Sequence, residues 1–149
     1  MNMNMNITTT IPIKFNVNTT DPEKKLSFRA WLNGREVCLL PWVCEATPVE
    51  IEIADDEQSH VLELELFNKL SEYTKIDAES QVVSDVCLEI TDFTMDEIAL
   101  SPWHLGLYHH DRNGTSEPQQ EKFYGVMGCN GRVRIEFTTP IYLWLLEHM

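Results

Sequence analysis

The chain has 149 residues, 43% of them hydrophobic, which is enough for one domain whose core needs neither disulfides nor a structural metal. With 11 basic and 24 acidic residues the formal charge is −13, and only Lys24-Lys25 sets two cations together, which excludes a protein that neutralises nucleic-acid phosphates or an anionic membrane. The longest apolar stretch, Ile141 to Leu146, is far too short to span a bilayer.

Met1 to Asn6 lacks the basic and apolar regions of a secretion signal and reads as a disordered lead-in to a single domain over 1–149. A cytoplasmic location is therefore expected, with Cys38, Cys44, Cys87 and Cys129 as reduced thiols, mostly buried. From Ile7 to Val17 alternate residues are apolar. Pro12 cannot donate to a ladder, so this strand is expected at an edge, or with the proline nitrogen facing solvent. After a turn at Thr20–Lys25, the runs Leu26–Leu32 and Glu36–Leu40 flank Asn33-Gly34, the strongest hairpin signal in the chain. Val49–Ile53 and His60–Phe67 then alternate aliphatic residues with Glu around the acidic loop Ala54–Ser59; a period of two buries one face and wets the other. His60 shares the parity of Leu62 and Leu64, which predicts a strand-edge or satisfied core histidine.

Asn68–Gln81 reads as a loop with one helical turn near Lys69–Tyr73, and Val82–Phe93 as the next strand. Ser101–Glu121 carries Pro, Gly and Asn-Gly punctuation around a short strand at Leu105–His109. Phe123–Cys129 and Arg132–Thr138 are expected to form a second hairpin about Asn130-Gly131. Pro140 introduces a last strand that is apolar on both faces, either central or covered by another subunit. In a homo-oligomer Tyr142, Trp144 and Leu146 would line the interface.

One charge argument constrains topology. Glu50 and Glu52 share a face, as do Glu63 and Glu65; paired directly, the two strands would oppose like charges. Either the Asp55-Asp56 loop crosses between two sheets or a cation or basic strand sits between the Glu rows, and the crossing, a sandwich connection, is the preferred expectation. About nine antiparallel strands with such crossings define an all-β, jelly-roll-like β-sandwich.

Chemistry gathers in 102–115, where Trp103, His104, Tyr108, Asp111 and Asn113 fall in one turn-rich stretch. Aromatic faces beside amide and carboxylate groups suit a glycan or a protein partner. Acidic turns at Asp55–Glu57, at Asp92, Asp96 and Glu97, and at Asp111-x-Asn113 offer oxygen ligands for calcium, although Lys122 stands where an EF-hand needs its final Glu. Adjacent His109 and His110 point to opposite faces of a strand, which argues against zinc, and no nucleophile elbow is present. The glycine-rich Gly125–Gly131 precedes a strand rather than a helix, so it is no phosphate cradle.

The run His60–Leu66, followed by Asp85–Asp96, resembles the core of calcium-assisted carbohydrate-binding-module sandwiches. The overall texture, with the ending Tyr142–Glu147, resembles small virion-associated proteins of tailed phages. These resemblances imply a non-enzymatic β-sandwich with a binding or structural role, on a virion if phage-encoded. A glycan or protein would be recognised through 102–115, with Trp103 and Tyr108 stacking. The competing expectation is an acidic inhibitor that mimics nucleic acid through Glu50, Glu52, Glu63, Glu65 and the Asp55 loop.

Overall fold

The computed structural model describes residues 9–100, 106–110 and 119–148, with side chains at 110, 119 and 120 outside the description. The strands are β1 (Thr10–Thr19), β2 (Ser27–Leu32), β3 (Arg35–Leu40), β4 (Thr47–Ala54), β5 (Ser59–Phe67), β6 (Lys75–Ile76), β7 (Val82–Ser84), β8 (Leu88–Met95), β9 (Ile98–Ala99), β10 (Leu107–His110), β11 (Gln119–Lys122), β12 (Val126–Met127) and β13 (Gly131–Thr138). A 3₁₀ turn at Ser71–Tyr73 falls where the helical turn was expected, and one helix, α1 (Ile141–Glu147), ends the chain.

Two antiparallel sheets face each other. Sheet A runs β12-β8-β1-β4, with β9 also pairing β8; sheet B runs β11-β10-β13-β5-β2-β3. The quartets β12-β8-β1-β4 and β3-β2-β5-β13 are the two layers of a jelly-roll-like sandwich, and β10–β11 widens sheet B. The period-two pattern is the cause. Ile11, Ile13, Phe15 and Val17 turn inward with Val49, Ile51 and Ile53 from sheet A, against Leu62, Leu64, Leu66, Val133, Ile135 and Phe137 from sheet B. Across the layers Phe15 meets Phe28 edge-on at 6.0 Å, an arrangement the ring quadrupoles favour.

The two Glu rows lie on different sheets. β4 lies in sheet A and β5 in sheet B, so the Asp55-Asp56 loop crosses between layers. In sheet B the carboxylates also meet cations across the ladder, with Glu65 opposite Arg29 and Arg132, and Glu63 opposite Arg134. Asn33-Gly34 makes the β2–β3 turn with both residues at positive φ, 52° and 82°, as a two-residue hairpin of this hand requires.

Three expectations are corrected. β1 is not an edge strand, since β4 and β8 flank it. Pro12 is tolerated because its carbonyl already accepts from Asp96 N–H at 2.9 Å, in the turn that ends β8, so its nitrogen faces the end of the ladder. Asn130-Gly131 is a crossing, not a hairpin: β12 pairs β8 in sheet A while β13 pairs β5 and β10 in sheet B. Asn130 instead clamps Lys69, accepting from its backbone N–H at 2.9 Å and donating to its carbonyl at 3.0 Å. Finally, Ile141–Glu147 is helical. A run apolar on both strand faces is equally apolar along one helical face: Ile141 and Trp144, three apart, turn into the core, where Trp144 packs edge-on against Phe137 at 6.2 Å. Of the residues expected at an oligomer interface, Trp144 is thus core, while Tyr142 and Leu146 are exposed.

Candidate functional site

The outer face of sheet A carries a groove that follows from an interruption in the sheet. β12 pairs β8 only at Leu88–Glu89, and β9 pairs it only at Thr94–Met95. Between them, among the described residues, Ile90 to Phe93 has no partner strand on that edge; Ile90 N–H is taken by the Gly125 carbonyl at 2.8 Å and the Phe93 carbonyl by Leu100 N–H at 3.0 Å. The gap opens as a groove of about 620 Å³ lined by Glu89, Thr91, Asp92 and Thr94 on β8, Leu100 after β9, and Tyr124 with Val126 on the far wall. That volume lies within the range of small-molecule and sugar sites.

Two local features shape it. Asp92 sits at a bulge, where the β1–β8 register slips between Lys14 and Asn16 and Asp92 takes φ 54°. A short polar side chain is one of the few with a β-carbon that adopts this conformation readily, and the bulge aims it outward. Its carboxylate accepts from Asn16 Nδ2 at 3.0 Å, which fixes its direction. Tyr124 is the exposed partner of a buried neighbour: Phe123 points into the core and Tyr124 stands 68% exposed above the groove. A second trough of about 390 Å³, lined by Lys14, Asn16, Pro48, Glu50 and the same Asp92, continues over β1 and β4. Lys14 donates to Glu97 at 3.0 Å, and that hydrogen bond and the charge of Glu97 raise the lysine pKa.

Of the residues singled out in 102–115, Trp103, His104, Asp111 and Asn113 lie outside the described residues. Tyr108 is described, and it offers no stacking face. Its ring is buried against Phe123, and its hydroxyl both accepts from Cys129 N–H at 3.0 Å and donates to the Cys129 carbonyl. Burial pushes its phenol pKa far up, so it is a core residue that ties β10 to the β12–β13 crossing. The acidic turn does not assemble either: Asp92 is bonded to Asn16, Glu97 to Lys14, and no group of three metal-ligating side chains is found among the described residues.

The remaining polar clusters hold the sandwich together. On sheet B's outer face Glu65 accepts from Arg29 Nε at 2.5 Å and Trp31 Nε1 at 3.0 Å, with Arg132 Nε at 3.5 Å. Burial alone would raise the Glu65 pKa, but these hydrogen bonds and the Arg132 charge outweigh it and hold the carboxyl below the usual range. Glu63 and Glu65 are thus matched by Arg, and they face away from Glu50 and Glu52 on the opposite sheet, so the four carboxylates form no single polyanionic surface. His60 is a satisfied core histidine. Its Nε2 lies 2.9 Å from Asp56 Oδ1, its Nδ1 is 3.0 Å from Asn33 Nδ2, and its ring stacks on Phe137. At the other end the nearly buried Lys69 donates to Asp85 at 2.6 Å and to the Gly128 carbonyl at 2.5 Å.

Sequence reasoning found Asp92 but not its setting, and it missed Tyr124, Thr91, Thr94, Asn16 and Glu89 as one surface. The available signal was the phase of Phe123-Tyr124, where an aromatic falls on the solvent side of an alternating run.

No protein-family model matches the sequence, and no curated protein sequence matches it. Two solved structures share the fold. One is a vCBM60 in complex with galactobiose, 9% identical, covering 83% of this chain and 96% of that chain at a TM-score of 0.51. The other is the selenomethionine form of vCBM60, described in work linking two families of calcium-dependent carbohydrate-binding modules by circular permutation. It is 7% identical, covering 84% of this chain and 89% of that chain at a TM-score of 0.53. At such identities the likeness is one of fold, and the fold is that of a carbohydrate-binding-module-like β-sandwich.

Proposed function

We propose that this protein is a non-catalytic glycan-binding module whose ligand lies in the sheet A groove. One observation carries the reading: the gap between β9 and β12 places an exposed phenol ring, Tyr124, over a trough lined by Thr91, Asp92 and Thr94. A sugar presents an apolar ring face and a rim of hydroxyls; an aromatic face with flanking directional acceptors and donors is complementary to both. The shared sandwich architecture, one example of which is seen with galactobiose, supports the same reading.

The segment 102–115 belongs to this proposal through its connection, because Leu100 lines the groove and Trp103 follows it by three positions. Calcium would enter through oxygen ligands such as Asp111 and Asn113, since no group of three metal-ligating side chains forms at the Asp92 turn among the described residues.

The test is a panel of neutral oligosaccharides titrated calorimetrically against the parent chain and against Tyr124→Ala and Trp103→Ala. Binding by the parent that drops at least tenfold in Tyr124→Ala, with an unchanged melt, supports the groove. Binding lost in Trp103→Ala but untouched in Tyr124→Ala moves the site into 102–115. Absence of binding both by this panel and by amine-bearing oligosaccharides removes the proposal.

A further inference from the structure

The charge of this molecule is unevenly placed. On sheet A's outer face, counting the described strands and their turns, Glu50, Glu52, Glu89, Asp92, Asp96 and Glu97 are faced by one cation, Lys14, which is already bonded to Glu97. On sheet B's outer face Arg29, Arg132 and Arg134 balance Glu63, Glu65 and Glu136. Sheet A's outer face thus carries six carboxylates against one lysine, a net −5 of the chain's −13, and Glu50, Glu89 and Asp92 of these line the two troughs.

We infer that the groove selects glycans bearing amines, laid across the strands from β12 toward β4, and turns anionic chains away. This rests on the glycan reading of the same groove and adds the chemical class of its ligand. The two troughs meet at Asp92, so they form one path over four adjacent strands. Carboxylates recur along it: Glu89 and Asp92 line the first trough, Asp92 and Glu50 the second. From β8 to β4 the path crosses two inter-strand spacings, about 10 Å, so a polymer with an amine on successive units meets more than one carboxylate. An ammonium donates three hydrogen bonds, and to a carboxylate these are charge-assisted. The hydrogen-bond partner of Asp92, Asn16, is a neutral amide and brings no countercharge. A uronate or sulfated chain would instead bring like charge against Glu50, Glu89 and Asp92, with Lys14, bonded to Glu97 and paired across the ladder with Glu50, the one cation among the described lining residues to offset it.

The experiment compares three oligomers of equal length by calorimetry, at low and moderate salt: oligoglucosamine, its fully N-acetylated form and oligogalacturonate. The expected result is that oligoglucosamine binds at least tenfold more tightly than the acetylated form, that salt narrows this ratio, and that oligogalacturonate does not bind. Asp92→Asn and Glu50→Gln should each reduce the ratio, whereas Tyr124→Ala should weaken both binders. Spermine serves as the charge-only control. Equal or better binding of the acetylated oligomer, or a ratio unmoved in Asp92→Asn and Glu50→Gln, overturns the inference while leaving glycan binding intact. Spermine binding as tightly as oligoglucosamine, with Tyr124→Ala indifferent for both, also overturns it, because the groove would then act as bulk charge. Failure of these oligomers together with the neutral panel overturns the glycan reading as well.

Discussion

The β2–β3 turn offers a direct test of how this sandwich is latched. Asn33 holds φ 52°, accepts at its amide oxygen from Val61 N–H at 2.8 Å, and directs its amide nitrogen to His60 Nδ1 at 3.0 Å. Because the oxygen is committed to Val61, the nitrogen must face the ring, so His60 Nδ1 is the acceptor. Replacing Asn33 by Gly keeps the backbone conformation and deletes both hydrogen bonds, one of them to a buried partner. Each is worth about 0.5–1.5 kcal/mol, a total of about 1–3 kcal/mol. For a chain of this size that lowers the melting temperature by about 2–12 °C. Asn33→Ala loses the same bonds and keeps a β-carbon in the left-handed region without the polar side chain that lets Asn adopt it, costing about 1–2 kcal/mol more than Gly. Thermal melts and urea titrations of the two variants should therefore rank parent, Gly, Ala. A Gly variant indistinguishable from the parent would refute the latch, and an Ala variant no worse than Gly would refute the backbone argument.

Acid should loosen the fold in a defined window. Glu65 and Asp85 both titrate below their ordinary values, because hydrogen bonds from Arg29 and Trp31, and from Lys69 and Thr74, outweigh the burial that would raise them. The native state then binds these protons less tightly than the unfolded chain. Their stabilisation is fully present above about pH 4.3, the ordinary carboxylate range, and is lost as pH falls through the depressed values. Melts against pH should show this decline, and Glu65→Gln should flatten it; an unaltered slope would exclude Glu65. Within α1, Trp144→Ala should cost about 3–5 kcal/mol, whereas Leu146→Ala should stay within about 0.5 kcal/mol, as guanidinium titration can establish; equal costs would contradict the helical register. Any rise in melting temperature on adding calcium should survive Asp92→Asn, since no group of three metal-ligating side chains forms around Asp92 among the described residues; a rise that disappears in the variant would return the metal to this turn.

Where one strand face is buried, the amino-acid pattern is a nearly complete guide. Val49, Ile51 and Ile53 face in and Glu50 and Glu52 face out because a one-residue slip would bury both carboxylates. The same parity located His60, and the repulsion between two Glu rows placed the crossing at Asp55-Asp56. Patterns fail where one local signal serves two structures. Asn-Gly closes a hairpin at 33–34, where both residues reach positive φ. At 130–131 neither does, and the Asn side chain is spent on Lys69. Ile141 to Leu146 is too short and too uniformly apolar for its period to choose between strand and helix. The groove was illegible for a further reason. It exists because two short strands, far apart in sequence, pair with different halves of β8, and nothing local to Thr91 or Tyr124 records that the described residues leave the edge between them unpaired.

The central position of β1 has a kinetic side. This strand leaves the ribosome before either partner, and one of them, β8, ends 76 residues after it (95 − 19). At ordinary elongation rates of about 5–20 residues per second, β1 waits about 4–15 s for its second neighbour. Through that interval Ile11, Ile13, Phe15 and Val17 form an alternating, aggregation-competent row with one open flank. Pro12, Lys14 and Asn16, interleaved with them, are the residue types that discourage a nascent strand from pairing with a neighbouring chain. The proline that looks misplaced in the middle of a finished sheet is well placed in an unfinished one.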